Sequence, residues 1–231
     1  MNREVFIETQ NVSNFRQSAH KLANRHRLQP GFLVVEGKSG RGKSFAANNW
    51  HSVHGGIYFR VWEGMSQHAF LQQLSFECTG ARPHGSHNCK RVIIDKLRTD
   101  PKPVIVDEAD RLTLPRLEDL RDINEASEAA MILIGEVGLL GKLAAKDRIY
   151  SRVAEVVNFE PIGKSDITLY AAQMAELKLS ADAASQLAVK SDGSFRMIHN
   201  YVLKIAEFAE ANGLVEIGTD QLKTIDLRSL Q

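Results

Sequence analysis

Gly37, Gly40, Gly42, Lys43 and Ser44 fall in the order Gly-x-x-x-x-Gly-Lys-Ser, with Lys38, Ser39 and Arg41 in the variable places. The apolar run Phe32–Val35 precedes them, and Phe45-Ala46-Ala47-Asn48-Asn49-Trp50 follows as the opening of a helix. A loop between a strand and a helix, curled by glycines, turns its backbone N–H groups onto phosphate oxygens at the positive end of the helix. Lys43 is then expected to reach β- and γ-phosphates, and Ser44 to ligate Mg²⁺. A second acid-bearing position follows at Asp107-Glu108, which closes the apolar run Val104-Ile105-Val106. Carboxylates at the C-terminal end of a strand stand where open α/β sheets bind ligands. Asp107 is read as a holder of the Mg²⁺ shell and Glu108 as the group that orients a water against the γ-phosphate. The plain alternative for the pair is a solvated strand end.

Three arginines extend the set. Arg148 and Arg152, in Asp147-Arg148-Ile149-Tyr150-Ser151-Arg152, stand just before the last strand. From there a guanidinium can project toward a phosphate held by a neighbouring subunit and supply transition-state charge in trans. Arg196, in Gly193-Ser194-Phe195-Arg196, opens a helix, where a cation is not what the helix dipole favours. It is read as reaching back to the phosphates.

The elements that must position these residues alternate in type. A helix with Ser13 or Asn14 as its cap and Phe15, Ala19, Leu22 and Ala23 on one face leads to Gln29-Pro30-Gly31 and the first strand. Strands at Ile57–Val61, Val104–Val106, Met131–Gly135 and Val153–Phe159 alternate with helices at Met65–Cys78, around Val92, Ile93 and Leu97, at Leu117–Ala130 and at Leu139–Ala145. Short, continuously apolar strands between helices belong to a parallel sheet covered on both faces. The class is α/β: a three-layer sandwich on a five-stranded parallel sheet. From Ser165 on, only helices are read: Ile167–Leu177, Ala181–Lys190, Phe195–Ala211 and a last one after Thr219. This divides the chain into a lead-in helix (1–30), a nucleotide-binding domain (31–161) and a helical lid (162–231).

Composition narrows the classes. Hydrophobic content of 43% and charged content of 25% are ordinary for a globular chain of 231 residues. A net charge of +1 says nothing about partners, so local clusters carry that question. No run approaches the roughly 20 apolar residues of a membrane span. Met1-Asn2-Arg3-Glu4 lacks a signal-peptide pattern, so a cytoplasmic location, or the host cytoplasm for a phage protein, is expected. Two cysteines, Cys78 and Cys89, are too few for a disulfide framework. With His84 and His87 they give C-x5-H-x2-H-x-C, a spacing that matches no standard zinc finger.

Together the loop, the Asp-Glu strand end, the arginines before the last strand and the Gly-x-x-Arg start of a lid helix resemble an AAA+ ATPase over nearly the whole chain. Within that superfamily the chain most resembles the phage Mu-type B and Tn7-type C transposition regulators, through the helix ahead of strand one, the small lid and Ser151-Arg152. The resemblance implies ATP and Mg²⁺ as cofactors, a homo-oligomer (ring or helical filament) and a sensor position after strand four, occupied here by Glu136 where Asn or Thr is usual. It implies duplex DNA gripped from inside the oligomer and a transposase as client. The roughly 30 residues ahead of strand one are too few for the N-terminal DNA-binding domain of Mu-type B proteins, so DNA contact is expected from the core. Candidates are Arg60 and the loop Arg82–Arg91 with Arg82, Lys90 and Arg91, whose cations suit sequence-independent phosphate contact. Two other functions share the catalytic set: a replication initiator or helicase loader, and a peptide-directed ATPase using Trp62 and Met65 as a pore loop.

Overall fold

The structure, a computed structural model, describes residues 5–26 and 28–227. The chain forms two compact units. One comprises Val12–Lys38 and Lys43–Phe159; the other takes the described residues up to Asn11, the short segment Ser39–Gly42 and those from Glu160 on.

The larger unit is built on five parallel strands, β1 (Phe32–Glu36), β2 (Ile57–Arg60), β3 (Val104–Asp107), β4 (Met131–Gly135) and β5 (Val153–Asn158), in the order β2-β3-β4-β1-β5. Period-two alternation sends Phe32, Val34, Ile57, Phe59, Val104, Val106, Met131 and Leu133 to one face. There they meet Phe70, Leu71 and Leu74 of α3 (Gln67–Thr79), Ile93 and Leu97 of α4 (Ser86–Thr99), Leu117, Leu120 and Ile123 of α5 (Leu114–Ser127) and Leu139 of α6 (Leu139–Ala144). Leu33, Val35, Ile105, Ile132 and Ile134 point the other way and are as fully buried. Buried apolar residues of α1 (Gln10–Ala23) and α2 (Lys43–His54), Phe15, Ala19, Leu22, Ala46, Ala47 and Trp50, remain to cover that face. The short helix α7 (Asp147–Tyr150) leads into β5. The sandwich read from the sequence is therefore the observed one. β1 lies between β4 and β5, so the chain reverses its direction of travel across the sheet beside β1, and the loop after β1 opens at that switch point.

Three readings are corrected. α1 starts at Gln10, ahead of the expected Ser13 or Asn14 cap, because the buried Val12 extends the stripe of Phe15, Ala19 and Leu22 backwards. The expected loop Arg82–Arg91 ends earlier, at Gly85. α3 runs to Thr79, Gly80 ends it in the left-handed conformation, and α4 begins at Ser86, since Cys89, Ile93 and Leu97 form one buried helical stripe. Lys90 and Arg91 are thus helical residues. In the smaller unit, α8 (Lys164–Ala175), α9 (Ala181–Lys190), α10 (Phe195–Asn212) and α11 (Thr219–Thr224) pack around Ile167, Tyr170, Leu187, Ile198, Tyr201 and Ile205. That unit is not purely helical: β6 (Lys178–Leu179) and β7 (Glu216–Ile217) form a parallel pair. No helix of the described residues is long and apolar enough to cross a membrane.

Candidate functional site

The loop Gly37–Ser44 joins β1 to α2, whose first residue is Lys43. The Lys43 ammonium lies over the loop and donates to the carbonyls of Gly37 (2.5 Å) and Lys38 (3.0 Å). Burial lowers its pKa, while Glu136, Asp107, Glu108 and Asp110 act in the opposite direction. A lysine half-withdrawn from water and faced by acids is poised for a polyanion that brings its own charge.

β3 ends in Asp107, 2% exposed, and a buried carboxylate needs donors. It has three. The Ser44 hydroxyl (3.0 Å) and the Glu108 N–H (3.0 Å) donate to Oδ1, and the Tyr58 hydroxyl donates to Oδ2 at 2.7 Å. Glu108 takes the left-handed conformation (φ 59°), which turns its side chain out of the strand direction. Its carboxylate lies between two guanidiniums: Arg60 at 3.0 Å on Oε1 and Arg111 at 3.4 Å on Oε2. Arg60 also comes within 4.0 Å of Asp107, and its pKa is raised, first by the bond to Glu108. At the end of β4 the Glu136 N–H donates to Asp110 Oδ1 (3.1 Å). Gly135 leaves room for that bond, since an added Cβ would stand 2.6 Å from the same oxygen and displace the Asp110 carboxylate. Lys142 donates to the carbonyls of Asp110 and Leu112 and so fixes the turn after β3. Asp107, Glu108, Glu136, Lys43 and Ser44 are thus gathered by the ends of three adjacent strands and one helix.

Arg148 and Arg152 lie where expected, on α7 and just before β5. Within this chain each is paired to α5: Arg148 to Glu118 (2.6 Å) and Arg152 to Glu125 (2.5 Å). Of the candidate DNA-contacting residues, Arg60 pairs with Glu108, and Arg82 covers the Phe76 ring at 4.2 Å and donates to Gln73. Lys90 is held by Asp119 (2.8 Å) and Asp122 (2.7 Å) and is only 22% exposed, whereas Arg91 stands exposed on α4. Cys78 and Cys89 are buried core thiols, and no group of three His, Cys, Asp or Glu side chains able to hold a metal is gathered among the described residues.

In the unit that contains the loop tip, Ser39–Gly42 meets the start of α10. The Arg41 guanidinium, almost fully buried, donates to the carbonyl of Asp192 and approaches its carboxylate at 3.4 Å. Arg41 therefore contributes its backbone to the loop while its side chain turns away. The Arg196 N–H donates to the Gly40 carbonyl (3.2 Å), and its guanidinium reaches Ser39 Oγ at 3.5 Å. Gly40 (φ 78°) admits no side chain, because a Cβ would lie 2.5 Å from Ser194 Oγ. Arg196 thus stands at the loop. Tyr58, Asn48 and Arg111 were not foreseen. The one available signal was Tyr58, a polar-tipped aromatic out of phase with the buried Ile57 and Phe59 of its strand.

A phosphate-cradling loop at the switch point of a β2-β3-β4-β1-β5 sheet, with a Ser–Asp pair beneath it, defines the P-loop nucleotide-binding class. A family model described as an AAA domain matches residues 26–143, just over half of the chain, and the chain belongs to that family, the AAA ATPases. It is 34% identical over 130 residues to a potential ATP-binding protein of Staphylococcus aureus, covering 52% of this chain and 48% of that one. The chain therefore spans about half the length of that relative. It is 24% identical over 228 residues to the ATP-dependent target DNA activator B of Escherichia phage Mu, covering 94% of this chain and 71% of that one. Among solved structures, Cdc6p from Pyrobaculum aerophilum shares the fold with a TM-score of 0.71 at 15% identity, over 94% of this chain and 66% of that one.

Proposed function

We propose that this chain is an ATP-hydrolysing, DNA-binding AAA+ protein that selects target DNA and presents it to a transposase. The observation that carries the reading is the similarity to the phage Mu target DNA activator along 94% of the chain, beside an intact loop and Asp-Glu strand end. In this reading the backbone of Gly37–Ser44 grips the ATP phosphates and Lys43 takes the β- and γ-oxygens. Ser44 Oγ and Asp107 Oδ1, 3.0 Å apart, are the hard oxygen donors that suit Mg²⁺ and would hold it. Bound there, the ion supplies neutralisation of charge on the phosphates. Glu108 orients the attacking water, Glu136 stands at the sensor position, and Arg196 reports the nucleotide to the lid, residues 162–231. Arg152, with Arg148 as its competitor for the role, leaves its α5 carboxylate to serve as an arginine finger in a neighbouring subunit.

Assembly follows from that division of labour. If half of each site comes from a neighbour, ATP favours the oligomer by mass action, and hydrolysis releases it. Arg60, Arg82 and Arg91, with Lys90 as the weakest member, supply phosphate contacts to duplex DNA without reading sequence. The place of action is the cytoplasm. The test is duplex-DNA binding at moderate salt with and without ATP, together with electron microscopy in a non-hydrolysable analogue. Filaments on DNA are expected, lost in Lys43→Ala and trapped in Glu108→Gln. Absence of ATP-stimulated DNA binding overturns the reading, and closed rings without DNA favour a helicase-loading or peptide-directed role.

A further inference from the structure

The carboxylate of Asp107 is set by a closed circuit of side chains. Ser44 and Asn48 lie four residues apart on α2, on one face of the helix. Tyr58 is on β2 and Asp107 at the end of β3, two residues beyond Ile105, which Tyr58 opposes. Asn48 Nδ2 has two hydrogens and uses both, toward the Ser44 carbonyl (2.9 Å) and the Tyr58 oxygen (3.2 Å). Because Tyr58 accepts from Asn48, its single hydroxyl hydrogen is free to go to Asp107 Oδ2, at 2.7 Å. Ser44 then closes the circuit on Oδ1 at 3.0 Å. The polarity runs one way only, Asn48 to Tyr58 to Asp107. The two carboxylate oxygens are made unequal: Oδ2 is engaged by Tyr58, and Oδ1 faces the serine.

We propose that Tyr58, held by Asn48, is a positioning residue that presents Asp107 Oδ1 beside Ser44 Oγ as a preformed oxygen pair for the divalent cation of a bound nucleotide. This rests on the Mg²⁺–nucleotide reading above. Tyr58 touches neither cation nor phosphate; it acts through Asp107. Removing its hydroxyl leaves Oδ2 unheld and loosens the carboxylate about the bonds that Ser44 and Glu108 make to Oδ1, and a positioning loss of this kind weakens metal affinity by about tenfold or more.

The test is equilibrium binding of a fluorescent ADP to wild type, Tyr58→Phe and Asn48→Ala, in Mg²⁺ titrations and in EDTA. The expected result is unchanged affinity in EDTA and a midpoint for Mg²⁺ shifted upward about tenfold in Tyr58→Phe, with a smaller shift in Asn48→Ala. Asn48 is exposed, so its variant keeps the test open should Tyr58→Phe fold poorly. An unshifted Mg²⁺ midpoint in both variants, or equal losses with and without the cation, overturns the positioning role. Wild-type protein that binds the nucleotide no better in Mg²⁺ than in EDTA overturns the metal reading itself, and the role of Tyr58 with it.

Discussion

Arg60→Ala is the most informative single change, because Arg60 serves two of the proposed roles at once. Its guanidinium sits 3.0 Å from Glu108 Oε1, with the arginine side chain 58% exposed and the glutamate 22% exposed. That exposure puts the bond among solvent-screened pairs, worth about 0.5–1 kcal/mol. Arg111 holds the other carboxylate oxygen at 3.4 Å, so the substitution loosens Glu108 without releasing it. If the pair restrains Glu108 from orienting water, its loss lowers the barrier by that amount, about two- to fivefold in basal turnover. A DNA phosphate competing for Arg60 would have the same effect in the intact protein, so stimulation by DNA should shrink in the variant. The assay is steady-state phosphate release with and without duplex DNA, beside a nucleotide-affinity measurement to show that the site is intact. A basal rate that is unchanged or reduced at normal nucleotide affinity, with full DNA stimulation retained, refutes the reasoning.

Two further outcomes follow from the geometry. Arg152→Ala should leave nucleotide affinity of the dilute monomer unchanged while cutting assembly-dependent hydrolysis by about 10³-fold, the scale of an arginine finger. Should Arg148→Ala do so instead, the finger is Arg148. Burial pushes the Cys78 thiol up to about 12 and raises Cys89 as well, so both stay protonated at neutral pH. An aromatic disulfide reagent at pH 8 should therefore find no fast-reacting thiol in the native protein and both of the chain's 2 cysteines in denaturant. A rapid reaction at either would refute their core placement.

The phosphate loop, the Asp-Glu strand end and five strands were legible in the sequence because each is local: a fixed spacing, or a short apolar run between breakers. Element ends were less so. Ser13 reads as a cap, yet Val12 already belongs to the buried stripe, and tertiary burial overrode the capping signal. The β6–β7 pair is two residues per strand and joins segments far apart in sequence, leaving no periodicity to detect. Partners are the least legible. Nothing in the types of Tyr58, Asn48 and Asp107 announces that α2, β2 and β3 bring them into one circuit, and Lys90 reads as a free cation until α5 sets Asp119 and Asp122 beside it.

The clasp between Arg41 and Asp192 joins residues 151 positions apart. During synthesis the motif and every strand of the sheet emerge well before Asp192 does, and chains fold N-terminal segments first. A nascent chain that stops short of Asp192 carries all eight motif residues and yet leaves the Arg41 guanidinium without its acceptors, free to swing. The setting of the loop tip is thus completed by a segment made only after every strand of the five-stranded sheet.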